Sequence, residues 1–387
     1  MTDHLPLTTD VLIIGGGPVG MTLALALADS PLRVHLIDSQ PRGSWHADPR
    51  ALALSHGSRQ LLERLKAWNA PAGTAIHEIH ISQKTGFGDT MIEARDYGIP
   101  ALGYVMSYSQ LAAALDARIT PEQLIAPCTV DGIEISADGA TVTITRQGLT
   151  QHITAKLIVH AEGAPVNDPA VKVRHYGQHA VVAEVRPKAK PGSADNHRAW
   201  ERFTPDGPLA LLPHGEDYSL VLTFPAAKAE QILKLDDEDF LTALRAQFGK
   251  RLDFVGTGAR TSFPLALRIR PQITQPRQVW IGNAAQTLHP VSGQGFNLGL
   301  RDAWELAEIL HAHSDAGDPI GLATYSRSRQ LDRRASMAFT DGIVSLFSND
   351  FPPLRFARGL GLLALDLCPP LRHFVAKRMI WGARAWP

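Results

Sequence analysis

Cysteine is almost missing from this chain: Cys128 and Cys368 are the only two in 387 residues, far apart and in no CxxC pair. A disulfide framework and a thiolate zinc site are thereby excluded, and a reducing, cytoplasmic setting fits. Charge of one sign is also lacking, since Lys+Arg and Asp+Glu are each 38 and the formal net charge is zero. Dedicated nucleic-acid binders carry a basic surplus, so no nucleic-acid partner is expected, although an average can conceal a local patch. Long apolar runs do not occur. The run from Val11 to Ile14 stops at glycines, and Gly359 to Cys368 is only about ten residues, against the ~20 that a bilayer span needs. The N-terminus, MTDHLPLTTD, has no basic stretch before an apolar core and so no secretory signal. The 16 histidines are scattered without HExxH or other ligand spacing, so no metal site is expected. Ser292 in VSGQG lacks the first glycine of a GxSxG elbow, which speaks against a serine hydrolase.

What is present is enough apolar material for a core, 44% hydrophobic against 20% charged, over a length that suggests two packed domains. From Asp10 the sequence reads strand (Val11 to Ile14), Leu/Ala-rich helix (Pro18 to Ala28), strand (Val34 to Ile37): a βαβ unit. A helix with Leu61, Leu62, Leu65 and Trp68 at helical spacing follows, then alternating IHEIHIS, then a helix around Gln110 to Ile119. The stretch Val130 to Thr145 predicts a hairpin turning at Asp138-Gly139, and Ala155 to His160 a buried strand. From about Val171 to Ser262 alternating segments such as AVVAEV and YSLVLTF predict an antiparallel sheet with one exposed face, with a helix near Glu238 to Phe248 behind a solvated acidic run. Helix dominates from Asn297 onward, interrupted by Pro352, Pro353, Pro369 and Pro370.

The first chemical signal is GxGxxG at Gly15, Gly17 and Gly20, with Pro18 opening the helix. The first glycine permits the tight turn, the second lets the backbone approach a pyrophosphate, and the third lets helix and strand pack. Asp38, 18 residues past Gly20 at the end of the second strand, is placed to accept from an adenosine ribose. These features point to a dinucleotide without separating FAD from NAD. A second segment, IGNAAQTLHPVSGQGFNLGLRD (Ile281 to Asp302) after the strand QVW, makes another anion-receiving helix N-terminus near Phe296. Two such ends suit a ligand polar at both, the phosphates and the pyrimidine edge of a flavin.

With these motifs and DPRALALSHGSRQLLERLKAW, ERFTPDGPLALLP and TDGIVSLFSN in order over nearly the whole chain, the sequence resembles the class A flavoprotein aromatic hydroxylases. It looks most like their ubiquinone-biosynthesis branch, in particular the 2-polyprenyl-6-methoxyphenol hydroxylases. The resemblance implies an α/β, para-hydroxybenzoate hydroxylase-like fold: a Rossmann-like FAD-binding domain (1–71, 100–170, 263–345), an inserted mainly antiparallel substrate domain (72–99, 171–262) and a C-terminal helical region (346–387). It implies hydroxylation of a polyprenylated phenol with NAD(P)H and O₂ through a flavin hydroperoxide. Arg50 would lie over the flavin, Asn283 would bond the ribitol where most relatives have Asp, Pro290 would pack on the ring, and Gly293, Gln294, Gly295, Phe296 and Asn297 would present backbone N–H groups, with the Asn297 amide, to the pyrimidine. His289 reads either as a catalytic base or as a turn-stabilising, flavin-adjacent histidine.

One motif departs from the family. The usual GADGxxS is His160-Ala161-Glu162-Gly163-Ala164-Pro165-Val166 here, with a longer acid at Glu162 and no terminal Ser. Either reduction by NAD(P)H is altered or the turn tolerates the change. A flavin-dependent prenyl-lipid reductase and a non-catalytic flavoprotein subunit of a biosynthetic complex are the competing readings. From Phe351 to Pro387 the chain carries six basic residues, among them Arg372, Lys377, Arg378 and Arg384, and one acid, Asp366. This basic, apolar end suits either an anionic membrane surface, at the inner face of the plasma membrane, or packing onto the protein's own core. Other proteins of the same biosynthesis are further expected partners.

Overall fold

The computed structural model describes residues 7–68, 72–84, 86–165, 167–188, 196–249, 251–347 and 351–382; Val166 and Arg384, singled out above, lie outside them. The centre of the first sheet is five parallel strands in the order Gln278–Trp280, Leu149–His160, Leu7–Ile14, Val34–Ile37 and Leu124–Ile125. Val11, Leu12 and Ile13 are fully buried, as a strand covered on both faces requires. The expected hairpin is present as Thr129–Ile135 and Ala140–Arg146, and it pairs with Leu149–His160. That pairing is why the strand expected from Ala155 begins six residues earlier, at Leu149.

Two helices are drawn together above this sheet. Pro18–Ala26 leaves the first strand, and Gln294–His311 leaves the second glycine-rich segment, starting two residues before the expected Phe296. Only a hydrogen fits where they cross: a Cβ on Gly299 would stand 3.1 Å from Val19 Cγ2 and 3.2 Å from Gly282 Cα. At the first turn, Gly15 takes φ +113°, and a Cβ on Gly20 would run into the Gly15 carbonyl oxygen. Small residues therefore set how closely both helix N-termini approach the same opening.

The second sheet has nine strands and is antiparallel except where Glu78–Gln83 runs parallel to Arg198–Thr204. Residues from 78–93 and from 172 onward thus meet in one layer. The sheet continues past residue 263, because Thr261–Ile269 pairs along Lys172–Pro187 and in turn holds Gln286–Thr287. Helix Asp237–Phe248, capped by Asp236 accepting from the Asp239 N–H, and helix Ala226–Leu233, which the sequence reading missed, bury Phe240, Leu244 and Ala229 against this sheet. The prolines expected to interrupt the C-terminal helices sit in the first turns of Pro352–Leu367 and Pro369–Trp381, where the missing N–H costs nothing.

A buried ionic cluster joins helix Gln294–His311 to helix Pro319–Phe347. Arg329, 2% exposed, donates to Asp302 (2.7 Å), Glu305 (2.9 Å) and Asp332 (2.9 Å), and Arg301 donates to Asp332 at 2.8 Å. The other oxygen of Asp302 accepts from the Gly282 N–H (3.0 Å) and Gln286 Nε2 (2.7 Å). Arg333, beside it, donates to Gln286 Oε1 at 2.6 Å. Three arginines face three acids, and burial drives the charges to pair. The Arg329→Met variant leaves Asp302 and Glu305 without their direct arginine partner, while Arg301 still meets Asp332; urea unfolding should show a loss of about 3–5 kcal/mol.

Candidate functional site: a cleft between two helix N-termini

A cleft of about 880 Å³ opens at the C-terminal ends of the parallel strands, where such sheets place their ligands. Of the residues singled out in the sequence, Gly15, Gly17, Pro18, Asp38, Arg50, Glu162, Asn283, His289, Pro290, Gly293, Gly295 and Phe296 line it. Gly20, Gln294 and Asn297 do not line it. Gly20 sits behind the first turn, where its role is packing. The Gln294 side chain donates from Nε2 to the Met379 carbonyl at 3.3 Å.

Asn297 departs from its expected role in a more informative way. Its Nδ2 donates to the Ala53 and Gly293 carbonyls (2.9 and 2.8 Å), and its Oδ1 accepts from the Ser55 N–H and Ser58 Oγ (2.8 and 2.7 Å). All four hydrogen-bonding positions of the amide are filled by protein, so Asn297 locks strand Ala51–Ser55 against the Gly293 turn. Its contribution to a ligand is to hold the backbone there.

Asp38 bridges the two halves of the βαβ unit, its Oδ2 accepting from the Gly16 N–H at 2.6 Å and its Oδ1 from Gln40 N–H at 2.7 Å. Further lone pairs remain on both oxygens. Arg50 meets Asp48 through Nε and Nη2, the latter at 2.6 Å, and lies over the Tyr108 ring at 4.9 Å. Burial disfavours the Asp48 carboxylate, but the bonds and charge of Arg50 outweigh it and hold its pKa below the usual carboxylate range. Asp48 and Tyr108 were not singled out in the sequence. DPR held the first in view, and Ser107-x-x-Gln110, a capping box realised in the structure, marks the helix start that carries the second.

The departing motif has its own surroundings. His160 stacks flat on Trp280 (4.5 Å, 4°), with Nδ1 3.2 Å from Glu162 Oε1 and Nε2 3.0 Å from Gln278 Oε1. Arg270 lies over the same Trp280 ring at 4.3 Å and pairs with Asp168. Glu162 keeps its carboxylate at the cleft edge, 44% exposed, tethered to His160.

His289 is 1% exposed and packs edge-to-face on Tyr176 at 5.2 Å. Its Nδ1 accepts from the Val291 N–H at 3.1 Å, so the ring proton sits on Nε2, which is buried without a partner among the described residues. Burial pushes its pKa down to about 4. The imidazole is a neutral donor in the cleft wall. A base would need Nδ1 or Nε2 free to take a proton, and Nδ1 is spent on the turn. Leu212 and Val221 of the antiparallel sheet complete the wall.

Residues 8–340 match the FAD binding domain family. The chain belongs to that family. Its cleft suits FAD on its own terms: Gly17 opens onto space with only Tyr108 Oη 3.6 Å from a would-be Cβ, and two helix N-termini converge on it. The family protein is 33% identical to ubiquinone hydroxylase UbiL of Rhodospirillum rubrum over 98% of this chain and 91% of that one. It is 31% identical to the 3-demethoxyubiquinol 3-hydroxylase of Escherichia coli, over 95% of this chain and 97% of the other. The solved structure of p-nitrophenol 4-monooxygenase PnpA from Pseudomonas putida shares the fold at 15% identity, TM-score 0.77, over 97% of this chain and 99% of that one. The expected para-hydroxybenzoate hydroxylase-like architecture and its FAD-dependent monooxygenase class are thus the ones found.

A pH dependence follows from His289. The unfolded imidazole protonates near pH 6.5 and the native one near 4, so between those values the unfolded state binds more protons. Stability should fall as pH drops through that window, by on the order of 3 kcal/mol in total. The His289→Gln variant should flatten this slope in urea titrations at about pH 7 and about pH 4.5; an unchanged slope would contradict a neutral buried imidazole.

Proposed function

We propose that this flavoprotein hydroxylates the aromatic ring of a polyprenylated phenol in ubiquinone biosynthesis, with NAD(P)H as reductant and O₂ as oxidant. The observation that carries the reading is the cleft wall, to which Pro290 and the aliphatic Leu212 and Val221 give an apolar surface. An apolar wall in a large cleft suits an aromatic ring, which needs no polar partner. The names of the two ubiquinone-pathway relatives point the same way.

Bound FAD supplies the redox chemistry, passing electrons from NAD(P)H to O₂ so that one oxygen atom enters the ring and the other leaves as water. The residues of this chain position and enclose. Gly15, Gly17 and the start of helix Pro18–Ala26 would hold the pyrophosphate, and Asp38 the adenosine ribose. Asn283 would hold the ribitol, the Gly293, Gly295 and Phe296 backbone the pyrimidine edge, and Arg50, fixed by Asp48 and Tyr108, would lie over the ring. Glu162 keeps the family's negative charge at the cleft edge, which supports the tolerated-turn reading of its motif. His289, neutral and buried, fixes the Pro290 turn by accepting from the Val291 N–H, and the sheet residues exclude water. Flavin-loaded protein given NAD(P)H, O₂ and a polyprenylated phenol should yield a product heavier by one oxygen atom. A product that has gained only hydrogens, or NAD(P)H oxidation without any new product, would reject the reading.

We also infer that the protein works at a lipid surface. No described helix is long and apolar enough to cross a membrane. Helices Pro352–Leu367 and Pro369–Trp381 nevertheless expose Phe351, Phe356, Leu360, Leu367, Leu371 and Phe374, with Arg372, Lys377 and Arg378 alongside. Their inner sides bury Ala376 and Ile380 in the core, so core packing and an outward apolar face occur in the same pair. Cations within an apolar face match an anionic bilayer surface. The Phe356→Asp/Phe374→Asp double variant should lose most of its cosedimentation with phosphatidylglycerol-containing vesicles, and undiminished binding would count against this surface.

A further inference from the structure

A second, small cavity of about 70 Å³ lies behind strand Ala51–Ser55. Its walls are aliphatic: Ile76, Ile79, Ile92, Leu102, Met379 and Ile380. Several times the ~10–15 Å³ that one water requires is available, but water needs polar partners as well as room. The polar side chains that line the cavity are Ser55, Gln294 and Asn297, and each is engaged: Ser55 with Ser58, Gln294 with the Met379 carbonyl, Asn297 at all four positions. The space is built for an apolar occupant.

It also adjoins the flavin cleft. Ala53 lines both spaces, and Ile76 and Ile79 pack in one cluster with Ala51 and Leu212 of the cleft wall. On its far side stands helix Pro369–Trp381, whose outer surface carries the exposed Leu371 and Phe374. A layer of packed aliphatic side chains, Ala51, Leu212, Ile79 and Ile76, therefore separates the ring site from the cavity and, beyond it, the helix that faces outward.

The geometry points to this cavity as the seat of the one isoprene unit nearest the ring, reached by parting the aliphatic layer, with helix Pro369–Trp381 as its outer wall. The assignment rests on the prenylated-phenol reading above and adds where the tail goes. The Gln294 to Met379 hydrogen bond ties that wall to the start of the flavin-facing helix, so a filled cavity and a closed cleft share a common support.

The test uses full-length, flavin-loaded protein and a prenylated phenol carrying a diazirine on its first isoprene unit. Turnover of the probe by the wild type is measured first, and photolabelled peptides are then mapped by mass spectrometry. Labels are expected within 376–380 and at Ile79 or Ile92. A probe that is hydroxylated but labels elsewhere overturns the tail assignment and leaves the hydroxylase reading standing; a probe that is not hydroxylated removes both. In a second measurement, Ala376→Phe fills the cavity and should lower the ratio of kcat/KM for the prenylated over the unprenylated phenol at least tenfold. Met379→Ala, which opens the cavity and does not risk overpacking, should shift the same ratio at least threefold. Unchanged ratios in both folded variants would overturn the assignment.

Discussion

Asp302 is the point on which the site depends. One carboxylate, buried to 1% exposure, is shared among a backbone N–H at Gly282, a side-chain amide at Gln286 and the guanidinium of Arg329. The first two contacts shape the loop that carries Asn283 and leads to His289; the third anchors the helix that bears Asp302 to helix Pro319–Phe347. Leaving any of these partners out would strand a charge in the core, and the cost of doing so exceeds most single interactions in a protein. Burial pulls against Arg329's charge, but its three acid neighbours win and raise its pKa well above normal.

From that anchor the rest of the cleft follows by contact. Helix Gln294–His311 can approach helix Pro18–Ala26 because glycines stand at the crossing, and Asn297 then fastens strand Ala51–Ser55 in front of it. The antiparallel sheet closes the opposite side through Thr261–Ile269 and Gln286–Thr287. Each wall is held by hydrogen bonds that are satisfied within the protein. His289 Nε2, in that wall, is buried without a hydrogen-bond partner among the described residues.

Much of this was legible in the sequence, for physical reasons that can be named. The βαβ unit showed because buried parallel strands are short apolar runs and its turn needs glycine. The hairpin at Asp138-Gly139 showed because alternation has a period of two. What was not legible are the partnerships that cross the chain. Nothing local says that Asn297 spends its amide on Ala53 and Ser55, that Gln294 turns to Met379, or that Leu212 and Val221 enter the cleft wall. The start of the Leu149 strand was hidden because only the hairpin opposite it makes residues 149–154 a strand. The apolar C-terminal end could be read two ways because a helix has two sides, and in this protein the sides do different things.

The hydrogen bond from Asn297 to the Ala53 carbonyl joins positions 244 residues apart. Such a contact cannot form while the chain is still short. During synthesis the first βαβ unit can pair its own two strands early, whereas strand Ala51–Ser55 waits for the segment beyond Gly293 that fastens it. The cofactor's cradle is thus completed late, from its far side inward. Until that segment emerges, the nascent protein holds only half of a dinucleotide site.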